Sequence, residues 1–175
     1  MDIERIPPRA EDGNVRALIE IPTGSRNKYE YDHELGVIRF DRALYSAVHY
    51  PADYGFVPQT RSGDGELMDV LIMTEQPTFP GCLILTRLIG VLTIEHQGGT
   101  HEQKLLGVPV REPRFEEYHD IADVPHHLLK EIEHFFDIFK ELEGRDLRVR
   151  GWEGAQAANA ALDAAITAYQ EHHRR

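Results

Sequence analysis

The chain has 175 residues, enough for one domain with a sizeable core. At 41% hydrophobic and 28% charged it has a globular composition, which excludes a disordered chain. Thirty acids against 19 Lys and Arg leave a net charge of −11, a poor surface for non-specific binding to nucleic acid or an anionic membrane.

The N-terminal stretch, residues 1–14, is charged and rich in Pro and Gly, and it is expected to extend or fray. It has no apolar signal core, and no apolar run approaches the roughly 20 residues that span a bilayer. A lone cysteine, Cys82 in an apolar run, rules out an internal disulfide and reads as a buried thiol. Both features predict a cytoplasmic protein.

Ala17-Leu18-Ile19-Glu20-Ile21 reads as a strand stopped by Pro22. Lys28 to Tyr31 and Val37 to Phe40 alternate with period two around Glu34-Leu35-Gly36, which predicts a hairpin. Residues 45–63 read as an irregular, aromatic-rich loop of the kind that carries function. Strands follow over 70–74, 82–94 and 104–109, with a polar loop from Glu95 to Gln103. Asp123 and Pro125 open a predicted helix whose stripe is Leu128, Ile132, Phe135, Phe139 and Leu142, ended by Gly144. Leu147 to Arg150 reads as a short strand, and an Ala-rich helix spans about 154–170. The whole of 1–175 reads as a single α+β domain, its β part a small barrel or a strongly bent sheet.

Chemistry concentrates on Asp64-Gly65-Glu66-Leu67-Met68-Asp69, where three carboxylates lie within six residues on a glycine turn. Carboxylates this close repel unless a cation sits between them, and hard oxygen ligands suit Mg²⁺, Mn²⁺ or Ca²⁺. By itself the turn reads equally as a solvated acidic loop. It is not an EF-hand loop, because Asp69 stands where that loop requires glycine. The other charges on or beside the strands are Glu20, Glu30 and Glu102, with Lys28, Arg42, Lys104 and Lys140. Acids that gather cations, together with bases that bind anionic oxygens, suit a metal-bridged polyphosphate. They do not suit a single-strand nucleic-acid platform, since bases and acids interleave.

The set Ile19-Glu20-Ile21-Pro22, Lys28-Tyr29-Glu30, Asp41-Arg42, Tyr50-Pro51-Ala52-Asp53-Tyr54-Gly55-Phe56, Asp64 to Asp69, Lys104 and His134-Phe135-Phe136 to Lys140-Glu141-Leu142-Glu143 resembles the soluble family I inorganic pyrophosphatases, in order and spacing, over residues 16–155. The resemblance implies a five-stranded OB-like β-barrel flanked by two α-helices. It also implies a Mg²⁺-dependent activity (Mn²⁺ as an alternative) on pyrophosphate, and a homo-oligomer, a hexamer in bacterial members. By the same resemblance Asp64, Asp69, Glu20, Glu30 and Glu102 are metal acids. Lys28, Arg42, Lys104 and Lys140 bind the phosphoryl groups. Tyr54 sits near the attacking water, with Tyr50 beside it.

Four positions depart from the family pattern. Its motif is Asp-x-Asp-Pro-x-Asp, with the middle Asp as general base; here that residue is Glu66, followed by Leu67. A metal aspartate two residues before the strand lysine is Glu102, and another, seven before it, is Gln97, for which Glu95 could substitute if the loop bends. A phosphate-binding tyrosine is Phe139. Moving a carboxylate by a methylene costs around a hundredfold in rate at the level of a ~1 Å misplacement. A lost phenol-to-phosphate hydrogen bond costs about 1.5–3 kcal/mol. The alternative expectation is therefore a degenerate paralogue that binds phosphate compounds or a partner with weak or no hydrolysis.

Overall fold

The computed structural model describes residues 1–174. Strand β1 (Val15–Ile21) is the seam of the barrel: Val15, Ala17, Leu18, Ile19 and Ile21 are all buried, because the strand is covered on both faces. The hairpin β2 (Asn27–Asp32) and β3 (Val37–Ala43) pairs within itself and stands outside the main sheet. The main sheet continues with β4 (Asp53–Val57), β5 (Met68–Ile72), β6 (Leu83–His96) and β7 (His101–Pro109). Its order is β1-β4-β5-β7-β6, and β6 pairs back onto β1, so five strands close a ring. Among the described strands only β5 and β7 pair in parallel. The predicted five-stranded barrel is what the chain forms.

The long apolar run of β6 has two partners in succession. Leu83 to Thr86 pair with β1, and Gly90 to His96 pair with β8 (Leu147–Gly154), which extends the sheet beyond the ring. Close strand approach explains Gly55 on β4: a Cβ there would lie 1.9 Å from the Leu18 carbonyl oxygen.

Two helices close the core. Helix α1 (His126–Ile138) packs Ile132, Phe135 and Phe136 over Leu92, Ile94 and Leu106. Helix α2 (Ala155–His173) buries Ala158, Leu162 and Ala165 against β6, its small residues allowing a close approach. No described helix is long and apolar enough to cross a membrane.

The structure corrects several expectations. Strand β4 lies inside the stretch expected to be irregular; its Tyr-Gly-Phe sequence was masked by flanking Pro and Gly. Segment 1–14 does not fray: Ile3 is buried, Arg9 pairs with Asp163 at 2.7 Å, and the Tyr31 hydroxyl donates to the Met1 carbonyl. Asp123 accepts from the His119 and Asp120 amides and so caps a 3-10 turn at Ile121–Asp123 rather than α1. Leu128 and Leu142 are exposed, so the helix stripe is shorter than predicted. Cys82 is half-buried at the edge of the core. Arg175, part of the expected domain, lies outside the described residues.

Candidate active site

The strands bring their charged side chains together around one cavity of about 440 Å³. Every predicted site residue except Arg42 lines it. Strand β1 supplies Glu20, β2 supplies Lys28 and Glu30, and β4 supplies Tyr54. The turn before β5 supplies Asp64 and Glu66, with the Glu66 amide donating to the Asp64 carboxylate at 3.1 Å. Asp69 comes from β5, Glu102 and Lys104 from one face of β7, and Lys140 from the segment just after α1.

Lys104 is the hub. Only 4% exposed, its ammonium donates to Asp69 at 2.6 Å, to the Tyr54 oxygen at 2.8 Å and to Glu102. The Tyr54 hydroxyl in turn donates to Asp69 at 2.5 Å. Burial alone would depress Lys104, but Asp69 and Glu102 outweigh it and hold the ammonium charged. Burial opposes the charge on Glu102 too, yet Lys104 wins and draws its carboxyl down to about 2. At Asp69 burial is the larger effect and pushes the carboxyl up, against the pull of Lys104.

Glu20 is held against its charge, first by burial and then by its acidic neighbours. Its carboxylate accepts from the Tyr31 amide at 2.6 Å, which ties β1 to the hairpin. Burial, with Asp69 and Glu30 nearby, still raises it to about 8. Across the cavity the carboxylates Glu20, Glu30, Asp64, Glu66, Asp69 and Glu102 outnumber the ammoniums of Lys28, Lys104 and Lys140. This donor set fits hard divalent cations. Among the described residues no three metal-binding side chains already converge on one point.

Arg42 stands apart. Its guanidinium forks the Glu143 carboxylate at 2.8 to 3.2 Å and also pairs with Asp41. Lys28 pairs with Glu30, and at 3.4 Å with Asp41. Tyr50 is buried, with its ring against Tyr54 and Phe135. Phe139 lines the cavity where a tyrosine was expected, and it stacks on Phe135 with centroids 5.0 Å apart.

The β6–β7 hairpin decides between Gln97 and Glu95, and neither reaches the cavity. Gln97 donates to Asp146 at 3.1 Å, and Glu95 pairs with Arg150. Sequence reasoning also missed His33, Tyr31 and Phe136 on the cavity wall, and Glu143 as the Arg42 anchor. Period two sets Tyr31 on the strand face opposite Lys28 and Glu30, and His33 lies in the turn after β2, so the sequence carried no signal for the first two.

A family profile described as inorganic pyrophosphatase matches residues 17–170. The chain belongs to this family. An inorganic pyrophosphatase of Geobacillus stearothermophilus is 49% identical over 161 residues, covering 92% of this chain and 97% of the relative. One from a Nostoc species is 43% identical over 170 residues, 97% and 100% of the two chains. The crystal structure of inorganic pyrophosphatase from Thermus thermophilus superposes with a TM-score of 0.92 at 37% identity, covering 97% of this chain and 99% of that one. That of Helicobacter pylori gives 0.90, at 37% identity over 95% and 99%. Pyrophosphatase-family membership makes the chain a metal-dependent hydrolase, and its OB-like barrel is the family fold.

Proposed function

We propose that this chain hydrolyses inorganic pyrophosphate to two phosphates in the cavity around Lys104, with Mg²⁺ as the working cation and Mn²⁺ as an alternative. One observation carries the reading: metal-type acids and phosphate-type bases from distant parts of the chain line a single cavity. Glu20, Glu30, Asp64, Asp69 and Glu102 are the residues to hold the cations. When bound, these lower the pKa of water and screen the phosphoryl charge.

The side chains then divide the work. Water oxygen bonds to one phosphorus, the bridging oxygen leaves with the other phosphate, and Glu66 takes the water proton. Glu66 suits this role because it is exposed on a turn at the cavity wall, free to meet solvent. Lys28, Lys104 and Lys140 neutralise the attacked and leaving phosphoryl groups. Lys104, which donates to both Asp69 and Glu102, would turn its ammonium to a phosphoryl group if those two acids held cations. Tyr54 orients Asp69. Arg42 reaches a phosphoryl group only by leaving Glu143, so its part comes with substrate.

We read the protein as cytosolic and as a homo-oligomer, a hexamer by its family. Exposed Phe40, Phe79 and Leu83 support an assembly that covers apolar surface. The test of the site is phosphate release by Asp69→Ala and Glu66→Ala. Each is expected to lose about a hundredfold or more in kcat. Intact turnover in Asp69→Ala would overturn the assignment.

A further inference from the structure

The tip of the β6–β7 hairpin turns a histidine toward the metal acids. Leu92 pairs with Lys104 and Ile94 with Glu102, so the next side chain on that face is His96. Its Nε2 lies 2.7 Å from the Glu102 carboxylate. The other Glu102 oxygen meets Lys104. Glu102 lines the main cavity, while His96 lines an adjoining one with Gln97, Asp146 and Arg148. The His96–Glu102 pair is therefore the wall between them, and a cation held there can take an oxygen from one residue and a nitrogen from the other.

We propose that His96 is a nitrogen ligand, beside Glu102, to a divalent cation at this end of the site, and that it biases the site toward first-row transition-metal ions over Mg²⁺. The inference rests on the metal-dependent reading above. Two ligands at about 2.1 Å on one ion, near a right angle, lie about 3 Å apart. The 2.7 Å separation is close to that, so little movement is needed. Imidazole suits ions such as Zn²⁺, whereas an all-oxygen set suits Mg²⁺. An aspartate expected in this loop is thus answered by a histidine one residue away.

The test uses Mn²⁺ as a paramagnetic probe on the full chain. Pulsed EPR should show ¹⁴N coupling to bound Mn²⁺, and His96→Gln should lose it while keeping a donor for Glu102. In calorimetric titrations His96→Asp should lower the Zn²⁺-to-Mg²⁺ affinity ratio by about tenfold or more. Mn²⁺ bound without nitrogen coupling, or coupling that persists in His96→Gln and so comes from another histidine such as His33, overturns this inference alone. Failure of Mn²⁺ to bind overturns the metal reading as well.

Discussion

Lys140 differs from the other bases of the cavity, since no carboxylate pairs with it among the described residues. Its ammonium lies 5.1 Å from the Phe139 ring centroid, and burial, with Lys104 and Lys28 nearby, pushes it below the ordinary lysine range. A group so placed gains most from an arriving polyanion. Lys140→Ala is expected to lower kcat/KM about a hundredfold, with unchanged unfolding, measured by steady-state phosphate release. Phe139 tests the same wall from the other side. Phe139→Tyr is expected to strengthen pyrophosphate binding roughly tenfold by adding a phenol donor. An unchanged KM would show that the hydroxyl does not reach the substrate. Glu20, Asp64, Asp69 and Lys104 were legible as residues because charge density and spacing stand out in a chain. His96 stood out with His101 only as a histidine flanking the loop that departs from the family pattern; the pairing register of β6 and β7 is what sets it, and not His101, beside Glu102.

At the scale of the element, Asp53 shows how a quoted motif divides between scaffold and site. The Tyr50 to Phe56 stretch sends Tyr54 to the cavity, but Asp53 is fully buried and points the other way. One oxygen accepts from the Thr23 amide and hydroxyl, the other from the Thr78 amide and hydroxyl. Asp53 thus pins two loops at the start of β4. Asp53→Ala leaves those buried donors unmatched and is expected to cost about 3 kcal/mol in urea unfolding. A loss below about 1 kcal/mol would mean that water replaces the carboxylate without strain. The hairpin, β6 and both helices were legible from period and length. Strand β4 was not, since a glycine demanded by contact with Leu18 looks in sequence like a loop residue. The N-terminal segment misled for a similar reason: its order comes from Asp163 and Tyr31, far along the chain.

For the whole molecule, the excess of acid in one cavity links stability to pH and cation. Glu20 has an ordinary value of 4.5 when unfolded and about 8 when folded. Between those values the folded state holds the extra proton, so without divalent cation stability falls as pH rises from about 4.5 to about 8. Melting temperatures in chelator should show that fall, and Mg²⁺ or Mn²⁺ should flatten it, most strongly near the upper end. A flat profile in chelator would mean that Glu20 is solvated in the folded protein. Barrel, helices and family were all readable from the chain, because the polar pattern spans residues 16–155 in a fixed order. What the chain could not show is which acids meet which bases, and that is what decides catalysis. The most direct test is phosphate release from pyrophosphate by the wild-type protein, with Mg²⁺, with Mn²⁺ and in chelator. Cation-dependent turnover that stops in chelator is the predicted result. No turnover with either cation, from protein that is folded and binds pyrophosphate, would contradict the account and leave a phosphate-binding barrel in place of an enzyme.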